Sequence, residues 1–208
     1  MDYLDEEILK FRNSVKKNKY NSLETGMYIK SELIHFSETR IFDKRMSVML
    51  PDSFVDLPEK YAKQKYPSGQ RPQVIKTSLD TTVNFTFSLL DAAFEKAYIP
   101  NVLNQIKSIL QKVNPALIFY DQTIDIEKEL GWFDFKSYGL DEQIYNIMYI
   151  VPIDGKLLHG IFNCQYRDIM EWKEAARQVI YSVRDCTKNQ EGGSYEGRTD
   201  HDKPFQIY

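Results

Sequence analysis

Hydrophobic positions in this chain change period several times, and each change marks an element. Leu4, Ile8, Phe11 and Val15 recur at i, i+4, i+7 and i+11, so residues 3–18 are predicted to form an amphipathic helix. Lys16, Lys17 and Lys19 crowd its end, where positive charge suits the helix dipole. After a connector over 20–27, strands are expected over 28–36 and 39–43, then a short apolar run from Met46 to Leu50 that stops at Pro51-Asp52. Asp56-Leu57-Pro58-Glu59 has the form of a helix start, with Asp56 as cap and Glu59 as its box partner. That helix should run to about Lys65 and end at Tyr66-Pro67-Ser68-Gly69.

Alternation is clearest over 83–90, where Val83, Phe85, Phe87 and Leu89 interleave with Asn84, Thr86 and Ser88, and the segment pairs naturally with 73–79 as a hairpin. Pro100 opens a second helix with Leu103, Ile106, Leu110 and Val113 on one stripe, and Asn114-Pro115 closes it. Strands follow near 117–125, 131–138, 143–151 and 156–164, the last two joined by an Asp154-Gly155 turn. Both of these read as apolar on both parities, which predicts central strands covered on two faces. A final helix opens at Asp168, with Glu171 in the capping-box place and Trp172, Ala176, Val179, Ile180 and Val183 on its buried stripe. Long helices set among hairpins and a meander do not make a βαβ unit. The expected fold is α+β, a largely antiparallel sheet sandwiched between helices, with an extra N-terminal helix. It divides into a helix and lead-in (1–38), the α+β domain (39–187) and a polar tail (188–208).

Composition narrows the classes of function. At 208 residues and 42% hydrophobic, the chain can bury a sizeable core without a metal or disulfide staple. A net charge of −3 leaves no basic footprint for nucleic acid or an anionic membrane. No stretch approaches the roughly 20 apolar residues of a membrane span, and Met1 to Lys10 lacks the apolar core of a signal peptide. Cys164 and Cys186 are therefore expected as reduced thiols in a cytoplasmic protein.

Several segments then invite comparison. Pro51-Asp52-Ser53-Phe54 leads into the short helix, followed by Tyr66-Pro67 and Arg71-Pro72. Val83-Asn84-Phe85-Thr86-Phe87, Gly131-Trp132-Phe133-Asp134-Phe135 and Gly160-Ile161-Phe162-Asn163-Cys164 come ahead of the helix that contains Trp172. Over roughly residues 40–185 this order resembles the PsbP-like/DcrB-like family, especially its bacterial cytosolic members. The resemblance implies an antiparallel sheet between helices and a non-enzymatic, protein-binding role. Relatives of that fold share no single binding site, so it carries over no functional residue.

Candidate chemistry is thin. A thiolate needs a nearby base, yet on one uninterrupted strand His159 and Cys164 point to opposite faces. The three histidines, His35, His159 and His201, have no ligand spacing, and Gly192-Gly193 lacks the lysine and helix of a phosphate loop. The expectation is no catalytic residue, no metal and no cofactor. Two surfaces suit a protein partner instead. The locally basic stretch 60–76 sets Lys63, Lys65 and Arg71 beside Tyr66, and Arg and Tyr are favoured binding anchors. Along 132–138, Trp132 and Tyr138 share one parity while Phe133 and Phe135 take the other, so the first pair is either exposed for binding or lies under a helix. The reading is a protein-binding adaptor or chaperone-like module, with a small-molecule binder or enzyme using an aromatic pocket between helix and sheet as the alternative.

Overall fold

The computed structural model describes residues 19–66, 69, 71–139 and 142–188. The helix expected over 3–18 and the tail from 189 onward lie outside the described residues. Among the described residues the strands form three antiparallel sheets. The first is a small meander of β1 (Asn21–Ser22), β2 (Gly26–Ile29) and β3 (Glu32–Ile34). β4 (Phe36–Ile41), β5 (Met46–Pro51) and β13 (Arg184–Asp185) form the second, in the order β13-β5-β4. Seven strands form the third. They are β6 (Val55–Asp56), β7 (Val74–Thr77), β8 (Asn84–Ala93), β9 (Ile118–Asp125), β10 (Leu130–Tyr138), β11 (Gln143–Ile153) and β12 (Lys156–Gln165). Their order is β6-β7-β8-β12-β11-β10-β9, so the β9–β12 meander folds back to pair its last strand with β8.

Among the described residues, three α-helices cover this large sheet: α1 (Glu59–Lys65), α2 (Ile99–Val113) and α3 (Ile169–Tyr181). α3 lies on one face together with the two small sheets. There Trp172, Ala176, Val179 and Ile180 share a core with Phe85, Phe162, Tyr145 and Ile147, and with Met46, Val48 and Met27 from the small sheets. α2 lies on the opposite face, where Ile99 and Leu103 meet Phe133, Phe135, Met148 and Ile150. α1 sits farther along the α2 face, its Ala62 packed with Leu57 and Ile75. β11 and β12 are central and covered on both sides, as their continuous apolarity predicts. The fold is α+β, with a large antiparallel sheet between helices. No helix among the described residues is long and apolar enough to cross a membrane.

Close approach sets two positions. A Cβ on Gly160 would overlap the ring of Tyr149, its partner on β11. Another on Gly131 would press Ile99 at 2.6 Å, so glycine there lets α2 settle on the sheet.

Some expectations change. The segment expected as lead-in puts Leu23, Met27 and Ile29 into the main core, and the boundary at 38/39 falls inside β4. The single strand expected over 28–36 breaks at Lys30 and Ser31, whose φ of 49° and 67° turn the chain from β2 into β3. Asp56 does not cap α1. It belongs to β6 and pairs with Lys76 at 2.8 Å. Asp168 makes no capping bond to α3 either, but holds Lys30 Nζ at 2.6 Å. In both cases a charged lysine outcompetes a neutral backbone N–H for the carboxylate.

Candidate functional site

The strand ends at one edge of the molecule gather the residues with unexplained exposure. Tyr138 closes β10, Gln143 opens β11, and the two are paired. Gln165 closes β12, and the chain then turns through Tyr166, Arg167 and Asp168 into α3. Across β10, Ile118 of β9 pairs with Lys136. A β-bulge between Phe133 and Phe135 shifts the β9 register just beyond. It lets the amide of Asp121 reach Asp134, while Tyr120 leans toward the α3 face, where its phenol meets that of Tyr166 at 3.0 Å.

The outcome is a tyrosine cluster built around one lysine. Lys136 Nζ stands 5.2 Å from the ring centroid of Tyr138 and 5.1 Å from that of Tyr166. Ile118, Tyr120 and Tyr138 are 42%, 40% and 51% exposed, and Met170 in the first turn of α3 is 87% exposed. Burial within the cluster, and then the bond to Tyr166, push the Tyr120 phenol up to about 12. The phenol therefore stays protonated at neutral pH, able to donate and accept.

Beneath the cluster, charged groups of β9, β10 and α3 form one network, while Arg177 Nε and Trp132 Nε1 beside it are buried without a hydrogen-bond partner among the described residues. Asp134 is completely buried. It accepts bonds from the Tyr145 phenol at 2.6 Å and the Asp121 amide at 2.6 Å, and it pairs with Lys173 at 3.0 Å. Lys173 and Arg177 of α3 also hold Asp121, at 3.1 and 2.9 Å. This network pins α3 to β9, β10 and β11.

On the α2 face of the same strand ends lies a pocket of about 240 Å³ beside Lys65. Lys65 Nζ donates to the Thr81 carbonyl at 2.6 Å, and burial lowers its pKa. Tyr66 next to it accepts a bond from Asn163 at 3.4 Å, and Asn163 in turn accepts one from Asn84 at 2.8 Å. Burial raises the Tyr66 phenol.

The predicted binding residues thus separate. Lys65, Tyr66 and Tyr138 come to one end of the sheet. Lys63 points outward and pairs with Glu59 at 2.6 Å, which spends its charge locally. Arg71 is partly buried, and among the described residues its Nε has no hydrogen-bond partner. Trp132 is corrected: at 5% exposure it lies under α3, with the Arg177 guanidinium 4.7 Å above its ring, so it offers no surface to a partner. Tyr120, Lys136 and Tyr166 were not singled out from sequence. The shared parity of Lys136 and Tyr138 was one available signal, but the bulge that brings in Tyr120 leaves none.

His159 and Cys164 do lie on opposite faces, because the β12 register runs unbroken against β11. Burial lowers the His159 pKa and pushes the Cys164 thiol up to about 12. A cleft of about 570 Å³ lies at the far end between the β13-β5-β4 sheet and the large sheet. Its charges are largely satisfied within its own walls, Arg40 with Glu38 at 3.2 Å and Lys188 with Glu129 at 2.5 Å, which suits a solvated seam better than a site.

No protein-family model matches the chain, and no curated protein matches its sequence. Solved structures resemble it at a distance. Cyanobacterial PsbP (CyanoP) from Synechocystis shares 10% identity over 77% of this chain and 94% of its own, with a TM-score of 0.49. For the Ran-binding protein Mog1p of Saccharomyces cerevisiae the values are 7%, 73%, 96% and 0.46. LpqN of Mycobacterium tuberculosis, described as involved in cell envelope biogenesis, gives 14%, 79%, 96% and 0.45.

Proposed function

We propose that this chain is a non-catalytic, cytoplasmic protein-binding adaptor or chaperone-like module, and that it holds its partner with the tyrosine cluster at the strand ends. One observation carries the reading. Three tyrosines and an isoleucine surround Lys136 at the margin of the core, at 40–51% exposure for the three that stand farthest out. Tyrosine offers a large, stiff, amphipathic contact area, and a lysine among aromatic rings is already partly desolvated. The cluster rests on the Asp134–Lys173–Tyr145 network, so its base is rigid and little ordering is left to be done on binding.

The test is retention from native lysate on immobilised protein. A Tyr138→Ser, Tyr166→Ser double variant is compared with wild type and with Tyr98→Ser, a control at a 50% exposed tyrosine elsewhere. A protein held by wild type and the control should fall at least about tenfold on the double variant, as expected for the loss of binding anchors. Equal retention on the double variant, or nothing retained by wild type, contradicts the proposal.

A further inference from the structure

We propose that the pocket beside Lys65 is a subsite for a carboxylate that carries a small apolar group. This inference concerns the opposite face of the sheet and stands independently of the protein-binding reading.

The pocket is lined by unspent donors. Lys65 leaves α1 through its last residue, and its ammonium is anchored on the Thr81 carbonyl at 2.6 Å. That bond uses one of three N–H groups. The pocket holding the others is also lined by Gln165, whose side-chain amide makes no hydrogen bond among the described residues, and by Asn163, with one amide hydrogen given to Tyr66. The acceptors beside the ammonium are occupied: Asn163 Oδ1 takes Asn84, and the Thr81 carbonyl takes Lys65 and, at 3.4 Å, Asn84, which among the described residues leaves the Gln165 carbonyl oxygen and the Glu142 carboxylate as free acceptors on the pocket wall. Asp80 is held in its own turn by the hydroxyls of Ser78 and Thr82, at 2.6 and 3.0 Å. A ligand that fits this set brings lone pairs, and negative charge to meet the ammonium.

A second cavity of about 300 Å³ shares Lys65 and Thr81 as its wall and adds Leu57 and Tyr61. Leu57 is buried and Tyr61 is half exposed, so this side offers apolar surface. The ammonium therefore stands between a polar and an apolar compartment. Each is near the lower end of ligand-site size, roughly 300 Å³, which fits a short chain or ring beside a charged head. Glu142 is the counter-charge at the rim. It is exposed, and it acts on Lys65 through space with no hydrogen bond between them among the described residues. An incoming carboxylate must compete with it.

A free carboxylic acid and the C-terminus of a peptide share this chemistry. The full chain, labelled with nitrogen-15, is titrated with 4-methylpentanoate, with N-acetyl-leucine and with N-acetyl-leucinamide, each to about 20 mM, the range of a one-anchor ligand. Both acids, or one of them, should shift the amides of Thr81, Thr82 and Gln165 saturably, and the neutral amide should not. The tighter acid identifies the source, free acid or chain terminus. Lys65→Met should weaken binding at least about tenfold, the scale of a charge-assisted hydrogen bond. Glu142→Gln, on an exposed side chain with no structural bond, should tighten binding about threefold, the scale of one exposed charge pair. Saturation by neither acid, equal binding of the amide, or an unchanged affinity in Glu142→Gln would overturn the proposal.

Discussion

The carboxylate of Asp134 is fully buried, and it is tolerable there because donors from three elements converge on it. Removing it would leave Lys173 and the Tyr145 phenol facing an uncompensated hole. Asp134→Ala should therefore cost about 3 kcal/mol, the range for breaking one side of a buried ion pair. A urea denaturation series measures this directly. His159 gives a second expectation. Burial holds its imidazole below the ordinary value of 6.5, so the folded state favours the neutral form. As pH falls from 6.5, the unfolded chain takes up the proton first, and stability drops until the folded pKa is passed. His159→Gln should remove that part of the acid sensitivity, seen as a smaller change in denaturation midpoint between pH 7.5 and pH 5. At this scale the sequence was least informative. Lys63 and Lys65 look equivalent along the chain, yet two residues of helix send one to Glu59 in solvent and the other into a pocket. Trp132 and Tyr138 share parity, but α3 covers only the first.

Elements were more legible, because period is a property of many residues at once. The β7–β8 hairpin, the β9–β12 meander and the helix beginning near Pro100 all follow from alternation, stripe and turn residues. Asp154 and Gly155, with φ of 54° and 65°, make the two-residue turn their identities predict. The β2–β3 turn was hidden because Lys30 and Ser31 are not residues that favour positive φ. Its strain is offset far away in sequence, where Lys30 gives its backbone N–H to Glu171 at 3.1 Å and its ammonium to Asp168 at 2.6 Å. Both predicted caps failed because tertiary lysines, invisible to local pattern, claimed the acids. Gly160 tests the packing of the two central strands. Gly160→Ala should destabilise by roughly 1–3 kcal/mol through overpacking against Tyr149. Tyr149→Leu in the same chain should return part of that loss, measured as a double-mutant cycle in urea.

For the whole molecule, the architecture explains why one end carries the candidate chemistry. The far end of the large sheet is closed by the tight β11–β12 turn, and Asp185 of β13 accepts a bond from the Asp154 amide there at 3.1 Å. At the near end the chain departs into longer excursions, to α1, to the 78–83 loop and to α3, and partly exposed side chains collect on both faces. The sheet-and-helix plan was open to reading because hydrophobic period dictates it. That Tyr120, Tyr138 and Tyr166 meet was not, since it depends on strand order and on one bulge.

The most direct test of this account replaces Tyr138 with a photo-crosslinking phenylalanine analogue and, in a second chain, Ile109 on the exposed flank of α2, 58% exposed. Both are irradiated in cells. A discrete protein adduct from position 138 with none from position 109 is the expected result. An adduct from 109 alone, or none from 138, would contradict the strand-end cluster as the partner surface.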